Sequence, residues 1–202
     1  MPVQRAAGQW RGRCVGEPYG ETKVDDDEFL DQDVAALVHE MICHAEPLRS
    51  RFIGIIADTH GLVRPEAVAA LVGAERIIHA GDIGRPEVLQ ALEAVAPVIA
   101  VRGNNDQGAW AATMPETAVV EVDDLRFYVL HDVKALDFDP ATAGFSVVIC
   151  GHSHQPRIEQ RAGVWFINPG SAGPRRFKLP VAVARLYVHE GTLTPELVAL
   201  QV

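Results

Sequence analysis

The chain has 202 residues, 48% of them hydrophobic, and a formal net charge of -9 at pH 7. This length suits one domain with a substantial core, and the acidic balance argues against general nucleic-acid binding through the phosphate backbone. No apolar run approaches the ~20 residues of a membrane span or resembles a secretory signal, and the widely spaced Cys14, Cys43 and Cys150 fit a reducing compartment, so we expect a cytoplasmic protein without membrane contact.

Residues 1–50 are predicted to form an N-terminal extension. The first part is rich in Gly, Arg and Gln and has no hydrophobic period, which predicts a mobile tail. From Asp26 to Ala45, apolar residues recur at helical spacing, acidic residues fill the first turn, and Pro47 follows the end. This pattern predicts an amphipathic helix that packs on the main domain or on a second subunit, so a homo-oligomer is one expectation.

From Arg51 to Arg102 the predicted elements alternate between strands and helices. Strands are predicted in "RFIGIIA", "RIIHA" and "PVIAVR", and helices in "RPEAVAALVG" and "RPEVLQALEAV". This order is typical of βαβ units and therefore indicates a parallel sheet.

The rest of the chain is predicted to consist mainly of strands. They are "TAVVEV", "LRFYVLH", "FSVVIC", "RIEQR", "VWFIN", "VAVARLYV" and "TLTPELVAL". The pairs Asp123-Asp124, Ala162-Gly163 and Glu190-Gly191 separate neighbouring strands and predict hairpins. Residues 51–202 are therefore expected to form an α/β domain of two packed sheets with helices outside.

Side chains that can bind a metal ion follow five of the predicted strands. They are Asp58 and His60, then Asp82, Asn104, His131, and finally His152 and His154. Each one alone has an ordinary explanation, such as a helix cap, a left-handed turn or a hydrogen-bonded core histidine. Such separate explanations are not expected to apply at all five strand ends. A shared ligand site explains them together, because ligands of open α/β sheets bind beyond the carboxyl ends of the strands. Asp, His and Asn without a thiolate suit divalent ions of the Mn, Fe, Zn or Mg type.

The ordered series "DTHG", "GDIG", "GNND", a histidine and "GHSHQP", followed by "INPGSAGPRR", resembles the calcineurin-like metallophosphoesterases. It is most similar to their small bacterial and archaeal phosphodiesterases, a group that also resembles the retromer subunit of the same fold. The resemblance extends from Arg51 to about Val202. It implies a two-sheet metallophosphoesterase sandwich, with mixed parallel and antiparallel sheets flanked by helices.

The resemblance also implies two divalent metal ions per chain, with manganese preferred and iron, zinc, nickel or magnesium as alternatives. It assigns Asp58, His60 and His154 to one ion and Asn104, His131 and His152 to the other, with Asp82 bridging both. In such a site a bridging hydroxide attacks the phosphorus of a small soluble phosphate ester, and we expect a phosphodiester.

Asn105, Ser171 and Arg175 complete the set of candidate residues. Larger relatives carry a histidine at the position of Asn105, thought to protonate the leaving group, and an amide cannot act as an acid. Because general-acid help is typically worth ~10²–10⁴-fold, esters with good leaving groups are the expected substrates. Ser171 and Arg175, together with Arg176, either contact a phosphate or only shape a solvated loop.

Two other classes of function compete with hydrolysis. The same fold can serve as a non-catalytic assembly subunit when metal ligands are lost, yet all seven positions here hold competent ligands. A module that binds a single ion would leave Asn104 and His131 without a purpose. The sequence therefore favours an enzyme over a scaffold.

Overall fold

A computed structural model describes residues 51–202 of the chain. The predicted extension of residues 1–50, with its tail and its helix from Asp26 to Ala45, lies outside the described residues and stays a prediction. Within residues 51–202, none of the helices has the length and apolar composition needed to cross a lipid bilayer.

The described residues form ten β-strands and three α-helices. In chain order these are β1 (Phe52–Ile56), α1 (Pro65–Leu71), β2 (Arg76–His79), α2 (Pro86–Glu93), β3 (Val98–Ala100), α3 (Ala109–Ala112), β4 (Thr117–Val122), β5 (Leu125–Leu130), β6 (Val147–Ile149), β7 (Arg157–Arg161), β8 (Val164–Asn168), β9 (Ala182–His189) and β10 (Thr192–Ala199). The short helix α3 and a 3₁₀ turn at Val133–Ala135 were not predicted, because neither is long enough to show a hydrophobic period.

Two five-stranded sheets result, with the orders β10-β9-β1-β2-β3 and β4-β5-β6-β8-β7. In the first sheet, β1, β2 and β3 are parallel, as the alternating pattern predicts, and β9 and β10 are added antiparallel. In the second sheet, β5, β6 and β8 are parallel, while β4 and β7 pair antiparallel at the edges. The predicted sandwich of mixed sheets is therefore confirmed.

The three predicted hairpins are present as β4–β5, β7–β8 and β9–β10. Two of them turn through a pair of left-handed residues, Ala162 with Gly163 and Glu190 with Gly191. Two consecutive positive φ angles are typical of tight two-residue hairpin turns. Glycine is favoured there because it adopts a positive φ at little conformational cost.

One hydrophobic core lies between the sheets and a second lies under the helices. The inner faces contribute buried residues from both sheets, among them Ile55, Ile78, Phe127, Ile149 and Leu186. The outer face of the first sheet packs against α1 and α2 through a second set, among them Ile56, Ile77, Leu71, Val88 and Leu92. The layers are thus helices, first sheet and second sheet, which leaves the carboxyl ends of the parallel strands of both sheets free to form a site.

Gly54 on β1 gives a test of how tightly α1 packs on the first sheet. A Cβ atom at this position would lie 2.7 Å from Leu71 Cδ2, and Leu71 is fully buried. We expect Gly54→Ala to lower the free energy of unfolding by about 1–3 kcal/mol, as overpacking of a core usually does. Urea unfolding measures this change, and the same substitution should cost less in a Leu71→Ala background. An unchanged unfolding midpoint in the wild-type background would contradict this packing.

Candidate metal centre

Asp58, His60 and His154 bring three potential ligand atoms together, and we call them the first trio. His60 Nε2 and Asp58 Oδ1 both lie 3.3 Å from His154 Nε2. Asp58 is fully buried, His154 is nearly so, and His60 is partly exposed. In the described part of the chain no donor is aligned with Asp58 Oδ1, although this atom is buried. A buried carboxylate oxygen without a hydrogen bond, facing two imidazole nitrogens, fits a cation-binding site.

Asn104, His131 and His152 form a second group, the second trio. Asn104 Oδ1 lies 3.1 Å from His131 Nε2 and 2.9 Å from His152 Nδ1. His131 Nδ1 lies 2.7 Å from the carbonyl oxygen of Ala80, to which it can only donate. In the neutral ring this contact leaves the lone pair on Nε2, the atom that faces Asn104, as expected for a metal-binding histidine.

Asp82 lies between the two trios. Its Oδ1 is 3.4 Å from His131 Nε2, and its Oδ2 is 3.9 Å from His60 Nε2. The ligand atoms of Asp58, Asp82 and His131 also lie within 4.8 Å of one another, so the two trios adjoin. Burial alone would raise the pKa of Asp82, but the contact with His131 and the hydrogen bonds from Asn105 outweigh it and hold the pKa below its usual range.

The pKa of the other carboxylate of the centre, Asp58, is shifted in the opposite direction. Burial raises the pKa of Asp58 to about 7, and the neighbouring Asp82 adds to this effect. Burial, together with the charge of Arg176, lowers the pKa of His154 to about 4. The pKa of His131 is raised, because its contacts with Asp82 and Ala80 outweigh the effect of burial. The centre therefore holds one carboxylate that stays ionised and one whose proton a cation must displace.

Most of the candidate ligands have a left-handed backbone conformation that residues other than glycine rarely adopt. The five φ angles are 53° at Asp58, 46° at His60, 54° at Asp82, 67° at His152 and 57° at His154. Such outliers cluster at functional sites, where the surrounding structure holds them.

Asp106 supports the centre, although no role was predicted for it. Its Oδ1 accepts a hydrogen bond from the Gly84 amide at 2.7 Å, and its Oδ2 accepts one from the Gly103 amide at 2.8 Å. It therefore joins the loops that follow β2 and β3. Gly103 is also required for space, since a Cβ atom there would lie 2.2 Å from Asp82 Oδ1.

His79 is packed beneath the centre. Thr59 Oγ1 donates to the carbonyl oxygen of Ile83 at 3.0 Å, so His79 Nε2 is the donor in its 2.9 Å contact with Thr59 Oγ1. His79 Nδ1 then accepts a hydrogen bond from the Gly81 amide at 3.2 Å. Burial lowers the pKa of His79 to about 3, so the ring is neutral at ordinary pH and keeps this orientation.

Ser171 and Arg175 both make contacts within the protein, which fits the alternative that they shape the loop, and their contact with a phosphate stays a prediction. Ser171 is buried and donates to the carbonyl oxygen of Asp58 at 2.8 Å, so it holds the backbone of a candidate ligand. Arg175 points to the end of the chain, where it donates to the Val202 carbonyl oxygen at 3.3 Å. The neighbouring Arg176 instead places Nη2 3.5 Å from His60 Nε2, and its guanidinium group is exposed beside the first trio.

A cleft of about 460 Å³ opens beside the second trio. Asn104, His131 and His152 line it together with Tyr128 and Asp132. Asp132 Oδ2 lies 3.8 Å from His152 Nε2, on the side of the ring away from Asn104. The centre therefore has a basic side at Arg176 and an acidic cleft at the opposite trio.

Comparison with known proteins identifies relatives over most of the described chain. The sequence profile of the calcineurin-like phosphoesterase superfamily domain matches residues 52–191. A protein of Methanothermobacter thermautotrophicus named a probable metallophosphoesterase is 37% identical over 147 residues, which cover 66% of this chain and 85% of that protein.

Solved structures show the same fold. An archaeal phosphodiesterase superposes with a TM-score of 0.62 at 26% identity, covering 73% of this chain and 99% of its own. Vps29 of Chaetomium thermophilum superposes with a TM-score of 0.60 at 18% identity, covering 74% and 97%. At that identity, the second match is evidence for the fold alone.

The raised pKa of Asp58 predicts how cation binding depends on pH. A cation needs the ionised carboxylate, and burial keeps this carboxyl group protonated up to about pH 7. Below that pH a proton competes, so we expect the affinity for Mn²⁺ to fall by up to about tenfold per pH unit between pH 7 and pH 6. Calorimetric titration at pH 6, 7 and 8, in buffers of different ionisation enthalpy, measures both the affinity and the protons released.

Asp124 provides the matched control, because it is an exposed acid in the β4–β5 turn, at the end of β5 away from His131. Asp124→Asn should keep the pH dependence of the wild-type protein. An affinity that does not change between pH 6 and pH 8 would contradict the role given to Asp58.

Proposed function

The chain belongs to the calcineurin-like phosphoesterase superfamily, and on that premise we propose that it is a dinuclear metal-dependent phosphodiesterase acting on a small soluble phosphate ester. The observation that carries this proposal is the meeting of two ligand trios at Asp82. Two cations held side by side repel each other, and a shared carboxylate offsets that repulsion.

In this proposal the first trio would hold one ion and the second trio the other, and Asp82 would serve both. Each trio offers two imidazoles and one oxygen ligand, a mixed set without thiolate that suits divalent first-row metals. Manganese is the ion that the family resemblance implies, with iron, zinc, nickel or magnesium as alternatives. Bound ions would supply Lewis acidity to the phosphoryl oxygens and lower the pKa of the attacking water. Cys150 takes no part, since it is buried and its pKa is raised to about 12.

The charges around the centre suggest how a substrate lies. The exposed guanidinium of Arg176 beside His60 suits an anionic phosphate, because arginine recognises phosphate oxygens through paired donors. The cleft beside the second trio has room for a small ester group and carries the carboxylate of Asp132 on its wall. A neutral or positively charged ester group suits that wall better than a second phosphate does.

In larger relatives a histidine is thought to protonate the leaving group, and this chain has no such proton donor at the same position. Asn105 occupies that position, and its amide donates to Asp82 instead of facing the cleft. We therefore propose that the enzyme prefers diesters with good leaving groups.

A scaffold role is the alternative. It rests on the fold shared with Vps29 proteins, and it requires no ions. The convergence of all seven competent ligands favours hydrolysis, because an assembly surface has no need of them. Ion content and turnover decide between the two.

Asp82→Asn tests the dinuclear centre directly. Removing the negative charge between the trios should reduce the bound ions from two per chain to one. Turnover of bis(p-nitrophenyl) phosphate should fall by more than about 100-fold, since even residues that only support a metal ligand are typically worth ~10–100-fold. Elemental analysis of manganese-loaded protein gives the ion count, and Asp124→Asn should match the wild type. One ion per wild-type chain, or unchanged turnover in the variant, would exclude this mechanism.

A series of aryl methyl phosphates tests the leaving-group preference. Without a general acid, the rate should fall steeply as the pKa of the leaving phenol rises, and alkyl diesters should be slower than aryl diesters by about 10² or more. The matching aryl monoesters should be cleaved more slowly than the diesters. A rate that is insensitive to the leaving group would reveal a proton donor at the centre.

A further inference from the structure

Asn105 forms hydrogen bonds with Asp82 that could not be predicted from the sequence. Resting on the proposed dinuclear centre, we propose that the Asn105 side chain is a positioning group: it fixes the Asp82 carboxylate so that this group serves both trios, and it thereby controls binding of the ion at the second trio.

Asn105 contacts both oxygens of Asp82. Its backbone amide donates to Oδ1 at 2.8 Å, and its side-chain amide Nδ2 donates to Oδ2 at 2.6 Å. Any residue except proline can make the first contact at this position. The second needs a side chain with a donor of this length, so it belongs to asparagine.

The side-chain contact decides how the carboxylate is turned. The terminal torsion of an aspartate is broad, so the backbone alone does not select one orientation. In the observed orientation Oδ1 faces His131 and Oδ2 faces His60. The donor on Oδ2 opposes rotation away from this arrangement.

The loop that carries Asn105 is itself fixed. Asp106 binds the amides of Gly84 and Gly103, so the turn after β3 cannot move independently of the loop that carries Asp82. Gly103 also packs against the carboxylate, where a Cβ atom would overlap Oδ1. Asp82 is therefore in close contact with both Gly103 and Asn105.

The two trios do not depend on Asp82 equally. The first trio contains a carboxylate of its own, Asp58, and is mostly buried. The second consists of neutral Asn104 with two imidazoles, and both Asn104 and His152 are exposed. Among the assigned ligands, Asp82 is the carboxylate that comes nearest to the second trio, with Oδ1 3.4 Å from His131 Nε2. Loosening Asp82 should weaken the second ion much more than the first.

Asn105→Leu is the sharpest test, because leucine keeps the branched shape of asparagine and removes the donor. Asn105→Ala repeats the loss without the bulk, and both variants keep the backbone contact to Oδ1. Gln107→Ala, a nearby exposed amide, is the control. The probe is Mn²⁺, titrated calorimetrically and followed by the electron paramagnetic resonance signal of coupled ion pairs.

We expect both Asn105 variants to bind the first ion within about twofold of wild type and the second ion ~10–100-fold more weakly. The coupled signal should then appear only at higher Mn²⁺. At limiting Mn²⁺, kcat for bis(p-nitrophenyl) phosphate should fall with little change in KM, and excess Mn²⁺ should restore it. Gln107→Ala should match the wild type in every measurement.

Wild-type affinity for both ions in Asn105→Leu would overturn the inference, even if turnover fell. An equal loss of both affinities would overturn it as well, because that result indicates general damage to the fold. The wild-type titration separates this inference from the proposed function. A wild-type chain that binds only one ion overturns both. If the wild-type chain binds two ions and Asn105→Leu weakens the second much more than the first, the inference is supported whether or not the assayed diester is a good substrate.

Discussion

The burial of Asp58 is the constraint on which the rest of the centre depends. Its amide donates to the Gly81 carbonyl oxygen at 3.0 Å, its Oδ2 accepts from the His152 amide at 3.0 Å, and its carbonyl oxygen accepts from Ser171. Three segments from both sheets therefore meet at one residue. These contacts leave only Oδ1 without a donor, and burial raises the pKa of the group to about 7. The fold thus makes the ionised form of this carboxyl group costly by itself, and a bound cation would stabilise that form.

The left-handed ligand residues show how the same region stores strain. Five of them lie in a region of φ and ψ that costs of order 1–3 kcal/mol for residues other than glycine. Hydrogen bonds between loops offset this cost, above all those of Asp106 to Gly84 and Gly103. These hydrogen bonds hold the loops that carry the candidate ligands in a defined arrangement, and such an arrangement favours selection of ions by ligand geometry and charge.

Much of the fold was predictable, because its signals are local. Hydrophobic runs marked the strands, turn pairs such as Ala162-Gly163 marked the hairpins, and the polar residues after five strands indicated where ligands converge. The parallel placement of β6 between β5 and β8 was not predictable, since long connections carry no turn signal for pairing. The directions of Ser171, Arg175 and Asn105 also escaped prediction, because loop side chains choose among contacts that only the folded chain provides.

Fold alone does not separate catalysis from assembly in this group, since the sandwich superposes on an archaeal phosphodiesterase and on Vps29 alike. The local physics of the centre is more discriminating. A scaffold gains nothing from a buried carboxylate with a raised pKa, nor from strained aspartate and histidine turns. Glycine at those turns and an apolar residue at Asp58 would be more stable, because they remove the strain and the desolvated charge. A metal site therefore accounts for the costly residues better than assembly does, and in the proposed dinuclear centre the unequal charge of the two trios would give the two ions different strengths of attachment.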